Sequence, residues 1–153
     1  MYFKRLLLLG ILCLSLTCHD NALAEMVSIK GENINMRSGP GTNFEVLYKF
    51  GSGMPLDVVK CSGEWLNVKD FEGDVGWVHK STVSTTPYMV VKANRNSRKN
   101  INIRSGPGTN NTIIGTAFYG VLFKTLEKKG SWIKVEHEQG VLGWVESSLL
   151  WGF

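Results

Sequence analysis

From residue 25 onward, apolar and polar positions alternate in short runs that break at glycine about every eight to twelve residues. No window sustains a period of 3.6, so helices are not expected. Met26 to Lys30 and Tyr88 to Lys92 read as opening strands. Phe44 to Phe50 and Thr112 to Phe118 follow, then Leu56 to Lys60 and Phe123 to Glu127, then Trp65 to Lys69 and Trp132 to Glu136. Val75 to His79 and Leu142 to Glu146 close each set. Period two sorts their faces: Leu66 and Val68 point one way, Trp65, Asn67 and Lys69 the other, and Ile133 and Val135 oppose Trp132, Lys134 and Glu136 in the same way. Strands joined by tight turns, with no helix to cover a face, must curl to hide their core and edges. The pattern predicts an all-β chain.

The strands come in two sets because the sequence repeats. Asn33-Ile34-Asn35-Met36-Arg37-Ser38-Gly39-Pro40-Gly41-Thr42-Asn43 returns 67 residues later as Asn100 to Asn110, and only Met36, replaced by Ile103, differs. The offset runs on without a gap, pairing Gly63-Glu64-Trp65 with Gly130-Ser131-Trp132 and Gly76-Trp77-Val78 with Gly143-Trp144-Val145. Residues 25–84 and 88–153 are therefore expected to form two copies of one domain, joined by a linker at 85–87 that ends on Pro87. Units of about 60 residues bury only ~60% of their unfolded surface, so the copies are expected to lean on each other. The second copy carries an extra polar, basic segment, Ala93 to Lys99, between its first strand and Asn100. In the Arg-Ser-Gly-Pro-Gly-Thr loop, positive φ is expected at Gly39 and Gly41 around the fixed Pro40, with Ser38 and Thr42 bonding the stranded backbone.

At Asn35 to Gly41, Gly63 to Val68 and Gly76 to Val78, and again at Asn102 to Gly108, Gly130 to Val135 and Gly143 to Val145, the chain resembles the bacterial SH3-like (SH3b) domain family. Three motifs in order, twice, cover nearly everything after residue 24. The resemblance implies two consecutive barrels of five to six strands, each with a short 3-10 turn near Ser81-Thr82-Val83 or Ser148-Leu149-Leu150. It also implies a role beside peptidoglycan hydrolases or as an envelope-targeting module. It carries no shared ligand motif.

Residues 1–24 read as a signal peptide: Lys4 and Arg5, the apolar run Leu6 to Leu16, then Ala22-Leu23-Ala24 before Glu25. The run is shorter than the ~20 residues that span a bilayer. Cys13 and Cys18 sit in poor lipid-attachment contexts. Export followed by cleavage is expected, to the periplasm or the medium, with no stable membrane insertion afterwards. The processed chain keeps one cysteine, Cys61, and so no internal disulfide is expected. The formal charge of +4 drops to +3 with the loss of Lys4, Arg5 and Asp20. That mild balance, without a dense basic patch, argues against nucleic acid and leaves anionic envelope polymers open.

Candidate chemistry points to binding. Trp65 and Trp132, on the strand face that carries polar neighbours, are candidate platforms for a sugar ring or an extended peptide; covering a barrel end or the seam between copies is the alternative. Trp77 and Trp144 read as core. Arg37 and Arg104 could meet ligand carboxylates or form an ion pair within the barrel. Arg95 and Arg98, with Lys99, suit an anionic polymer or simply solvent. Catalysis is not expected. Cys61 has no counterpart at Lys128, His79 and His137 are not repeat equivalents, and no nucleophile elbow, metal-ligand spacing or cofactor motif is present. Asp70 and Glu72 flank a turn, where solvation explains them. The sequence thus indicates a non-catalytic envelope-binding protein recognising peptidoglycan or its peptide stems, with a protein adaptor regulating a cell-wall hydrolase as the alternative.

Overall fold

The computed structural model describes residues 25–153; the expectations for the signal segment, and that of a lone Cys61 thiol, turn on residues outside that range. The chain forms two seven-stranded antiparallel sheets. The first holds β1 (Glu25–Ile29), β2 (Ile34–Arg37), β3 (Val46–Phe50), β4 (Pro55–Ser62), β5 (Trp65–Lys69), β6 (Val75–His79) and β7 (Val83–Ser84). The second holds β8 (Tyr88–Val91), β9 (Ile101–Arg104), β10 (Ile113–Ala117), β11 (Leu122–Lys129), β12 (Trp132–Glu136), β13 (Leu142–Glu146) and β14 (Leu150–Gly152). Strand order is β3-β2-β6-β5-β4-β1-β7 and, identically, β10-β9-β13-β12-β11-β8-β14. Each sheet has seven strands where five or six are expected from the sequence. The added ones are four residues or fewer, too short to register as alternation. One-turn 3-10 segments, Lys80–Thr82 and Ser147–Leu149, turn the chain back so that β7 and β14 pair with β1 and β8.

Each sheet wraps its own core. Val27, Ile29, Met36, Phe50, Leu56, Val58, Leu66, Val68 and Val78, drawn from β1 to β6, form one buried cluster. Met89, Val91, Ile101, Ile103, Ala117, Phe123, Ile133, Val135, Val145 and Leu150 form the other. A single cluster fed from almost every strand requires the sheet to curl around it. The β4–β5 and β11–β12 hairpins turn at Gly63 and Gly130, whose φ of +56° and +59° lie in the left-handed region that favours glycine. Bulges recur in both copies. The β4–β5 register skips Val59 and the β11–β12 register skips Leu126, so both side chains face solvent. The β2–β3 and β9–β10 pairs do the same at Leu47 and Ile114.

The join is tied from both sides. Ser28, fully buried on β1, donates to the Thr86 carbonyl at 2.8 Å, and the Thr125 amide donates to the Pro87 carbonyl at 2.9 Å. Tyr88 packs on Gly53, where an added Cβ would sit 2.8 Å from its ring. Beyond the linker, the Glu72 carboxylate accepts from the Tyr119 hydroxyl and pairs with Arg95, while the Phe71 and Tyr119 rings meet at 5.4 Å. Counting back 67 residues, Tyr119 corresponds to Ser52, and Phe71 and Glu72 correspond forward to Glu138 and Gln139. The seam is thus built from residues that the duplication did not preserve. Glu72 is therefore not merely solvated. Asp70 is not either: it is 6% exposed, and its Oδ1 accepts from the amides of Glu72 and Asp74, each at 2.9 Å.

Candidate functional site

The Arg-Ser-Gly-Pro-Gly-Thr loop is held by its own arginine. Arg37 Nη1 donates to the carbonyls of Thr42 (3.0 Å) and Phe44 (2.8 Å), and Arg104 Nη1 donates to those of Thr109 and Asn111, both at 2.8 Å. One planar, permanently charged group thereby satisfies two carbonyls that the turn leaves without strand partners. Among the described residues, no bond from the hydroxyls of Ser38 or Thr42 does this. Positive φ accounts for Gly108 alone of the loop glycines, at +144°. For the others the reason is space: a Cβ on Gly39 would lie 2.3 Å from the Phe44 ring, and one on Gly106 would lie 2.6 Å from Asn111 Oδ1.

With the loop pinned, Arg104 is carried to one wall of a groove of about 230 Å³ in the second barrel. Trp132, half-buried at the start of β12, forms another wall, beside Glu146 at the end of β13. Asn94 of the inserted segment, with Asn100 and Asn102, adds side-chain amides, and Ile101 and Leu149 add apolar surface. Trp132 and Glu146 are direct cross-strand partners, so their side chains leave the sheet on the same face. An aromatic ring, amides, a guanidinium and a carboxylate around one concavity can hold a polar ligand that has an apolar face.

In the first barrel Trp65 occupies the equivalent place, but His79 stands where the second barrel has Glu146. The imidazole meets the Trp65 ring at 88° with centroids 5.3 Å apart, and its Nδ1 lies 2.8 Å from Ser81 Oγ. Asn67, expected on the polar face beside Trp65, is buried, its Nδ2 donating to the Gly76 carbonyl at 3.0 Å. Trp144 is buried, at 9% exposure, but sits on the β13 face opposite Val145 and outside the core cluster, and Trp77 is half-buried with Lys60 Nζ 5.7 Å from its ring centroid.

The structure therefore brings Trp132 and Arg104 together and leaves the other sequence candidates elsewhere. Trp65 and Arg37 belong to the first barrel, Arg95 reaches across the seam to Glu72, and Arg98 stays exposed in the insert. Sequence reasoning missed Glu146 and the three asparagines. The mismatch of Glu146 with His79, in an otherwise faithful strand, was the signal available. A larger cleft of about 540 Å³ opens between the barrels, with Glu32, Glu136, Glu138, Lys124 and Tyr88 among its residues. It contains none of the tryptophans. The groove is the cavity that holds residues expected from the sequence to bind, Trp132 and Arg104. Among the described residues no three His, Cys, Asp or Glu side chains are grouped to hold a metal ion, and no helix is long and apolar enough to cross a membrane.

Burial raises the Asp70 carboxyl above its ordinary value of 3.8, with the neighbouring Asp74 charge adding to this and backbone hydrogen bonds opposing it. The exposed Tyr48 hydroxyl is raised too, chiefly by its hydrogen bond with Asp74. Neither lies at the groove.

The bacterial SH3 domain matches the chain twice, over residues 30–85 and 97–152. A putative N-acetylmuramoyl-L-alanine amidase, YrvJ of Bacillus subtilis (strain 168), is 27% identical over 125 residues, which is 78% of this chain and 24% of the amidase. The chain thus spans about a quarter of that relative's length. Among solved structures, an NlpC/P60 family protein from Bacillus cereus ATCC 10987 aligns at 12% identity over 83% of this chain and 56% of its own, with a TM-score of 0.38. NlpC2 from Trichomonas vaginalis aligns at 12% identity over 85% and 48%, with a TM-score of 0.36.

Proposed function

Because the chain belongs to the bacterial SH3 domain family, in two tandem copies, we propose that it is a non-catalytic cell-envelope module that binds peptidoglycan or its peptide stems. The observation that carries this is the groove in which Trp132, the asparagine amides and Arg104 converge. A glycan or stem peptide offers what such a groove takes: CH-rich faces for an aromatic ring, amides for amides, and carboxylates for a fixed guanidinium. The likeness to a protein named for cleaving at the muramoyl–alanine linkage supports the same polymer as ligand. A binding role rather than a catalytic one is supported by the two histidines among the described residues, each engaged in a local turn. His79 Nδ1 lies beside Ser81 Oγ, and His137 Nδ1 accepts from the Gln139 amide at 3.2 Å. Work at the envelope implies export, for which the charged and apolar segment ending at Ala24 is the candidate address.

The test is cosedimentation with purified sacculi. The protein pellets with sacculi, and replacing both Trp65 and Trp132 with alanine reduces the pelleted fraction while the fold is kept. Unchanged sedimentation of the double variant would remove both rings from the site.

One observation favours the second reading, an adaptor for an envelope enzyme. Edge strands β3 and β10 expose Val46, Leu47 and Tyr48 and, in the other barrel, Ile113 and Ile114. Apolar side chains on an unpaired edge suit a protein strand laid alongside. Crosslinking in the envelope followed by mass spectrometry then recovers one dominant protein, and recovery of none counts against the adaptor.

A further inference from the structure

We infer that the groove of the second barrel, and not its counterpart in the first, selects a peptide carrying a free primary amine, with the ammonium seated between the Glu146 carboxylate and the Trp132 ring. The inference rests on the proposal above only in taking this groove as the binding site.

Glu146 is the reason. It lines the groove half-buried and, although it is the N-cap residue of Ser147–Leu149, its side chain makes no cap hydrogen bond and, among the described residues, no other hydrogen bond or ion pair. A carboxylate held in a concavity without a partner is a site for a cation. Its cross-strand partner is Trp132, at the ~5 Å spacing of directly opposed side chains, so one ammonium can meet the carboxylate and the negative face of the indole together. Asn94, Asn100 and Asn102 supply both donors and acceptors at the rim, the pattern that pairs with peptide groups. Arg104 remains a fixed positive charge on β9, tied through Nη1 to the loop carbonyls, and so favours a ligand with negative charge or carbonyl oxygen at the far end.

The first barrel keeps Trp65, Asn33, Asn35 and Arg37 at the equivalent positions but lacks the carboxylate and the insert. His79 replaces Glu146, is engaged with Ser81, and stands against the Trp65 ring where the ammonium would go. Lys80 follows it and pairs with Glu64 at 3.8 Å, whereas the second barrel has the neutral Ser147 and Ser131 at those positions. A cation beside a cation is disfavoured. Asn94 comes from the insert that only the second copy carries. The duplication therefore kept the barrel and diversified the pocket.

The test uses 15N-labelled protein and two probes: N-acetyl-Ala-Lys-amide, with its ε-amine free, and the same peptide with that amine acetylated. The free-amine probe shifts backbone amides around Glu146 and Asn102 saturably and leaves those around His79 and Trp65 in place. The acetylated probe binds about tenfold more weakly or not at all. Glu146→Gln, which keeps shape and removes charge, weakens the free-amine probe by a similar factor, and Glu146→His abolishes the response, with both variant spectra confirming a folded barrel. Equal binding of the two probes, an undiminished response in Glu146→Gln, equal shifts in both barrels, or no shift at all overturns the inference. Sacculus binding without any probe response removes this inference alone. Probe binding without sacculus binding removes the peptidoglycan proposal and leaves the amine site standing.

Discussion

Leu66 and Ile133 occupy the same place in the two copies, and both are closed to solvent, at 0% and 1% exposure. They belong to different cores. Truncating either to alanine removes three side-chain carbons from a site that neighbouring strands hold open, at a cost of about 2–5 kcal/mol. A unit of about 60 residues has on the order of 3–9 kcal/mol of stability at ordinary values per residue. Leu66→Ala therefore takes much or all of the first barrel's stability, and Ile133→Ala does the same to the second. Hydrogen–deuterium exchange resolved along the chain reads this directly. Leu66→Ala accelerates exchange across β1 to β7 by roughly 30- to 5,000-fold, the range equivalent to that cost, and much less across β8 to β14. Ile133→Ala gives the mirror result. Some spread across the linker is expected, because Ser28, Tyr88 and Glu72 tie the barrels. Equal acceleration in both halves from either variant would refute separate cores.

Three further outcomes follow from single contacts. Asp70 has a folded-state pKa above its unfolded one, so its titration favours the fold below about pH 4, and that benefit is lost as pH rises through the raised value. Asp70→Asn keeps the amide-accepting oxygen and has no such slope. The melting temperature of the variant minus that of wild type therefore increases from acid towards neutral pH, and a falling difference contradicts the assignment. Glu72→Ala breaks the seam contacts to Tyr119 and Arg95, costing about 1 kcal/mol because Arg95 is largely in solvent, and lets the barrels tumble more independently. Unchanged 15N relaxation anisotropy would place the coupling elsewhere. Gly143→Ala puts a Cβ 2.4 Å from Ile103 and 2.9 Å from the Arg104 carbonyl, whereas Gly76→Ala first meets the flexible Met36. Thermal denaturation shows the larger loss for Gly143→Ala, on the order of 1–3 kcal/mol.

The architecture was legible because duplication writes each strand and turn twice, and glycine and tryptophan at one fixed offset leave little room for another arrangement. The alternation in Trp65 to Lys69 located Leu66 and Val68 in the core. It misassigned Asn67, because period two knows the face of a side chain and not the neighbouring carbonyl that draws it in. The loop glycines were recognised for a conformational reason when, Gly108 aside, crowding by Phe44 and Asn111 is the one that operates; contacts a few residues ahead are invisible to local propensity. Trp132 was singled out by its place on the polar strand face and Arg104 by its charge at the end of the first motif. Glu146 was passed over because a glutamate at a strand end reads as solvated, and its significance comes only from the tryptophan across the ladder. The seam residues Phe71, Glu72 and Tyr119 lay hidden among the positions where the two copies disagree.

In the proposed function, one groove, at Trp132, contacts the envelope polymer. All five tryptophans lie within the described residues, so the indole N–H signals of a 15N-labelled sample report on five defined places at once. On titration with soluble muropeptides from digested sacculi, the Trp132 signal moves and saturates while those of Trp77, Trp144 and Trp151 hold still. Movement of those three with Trp132 unmoved, or no movement of any, contradicts the account.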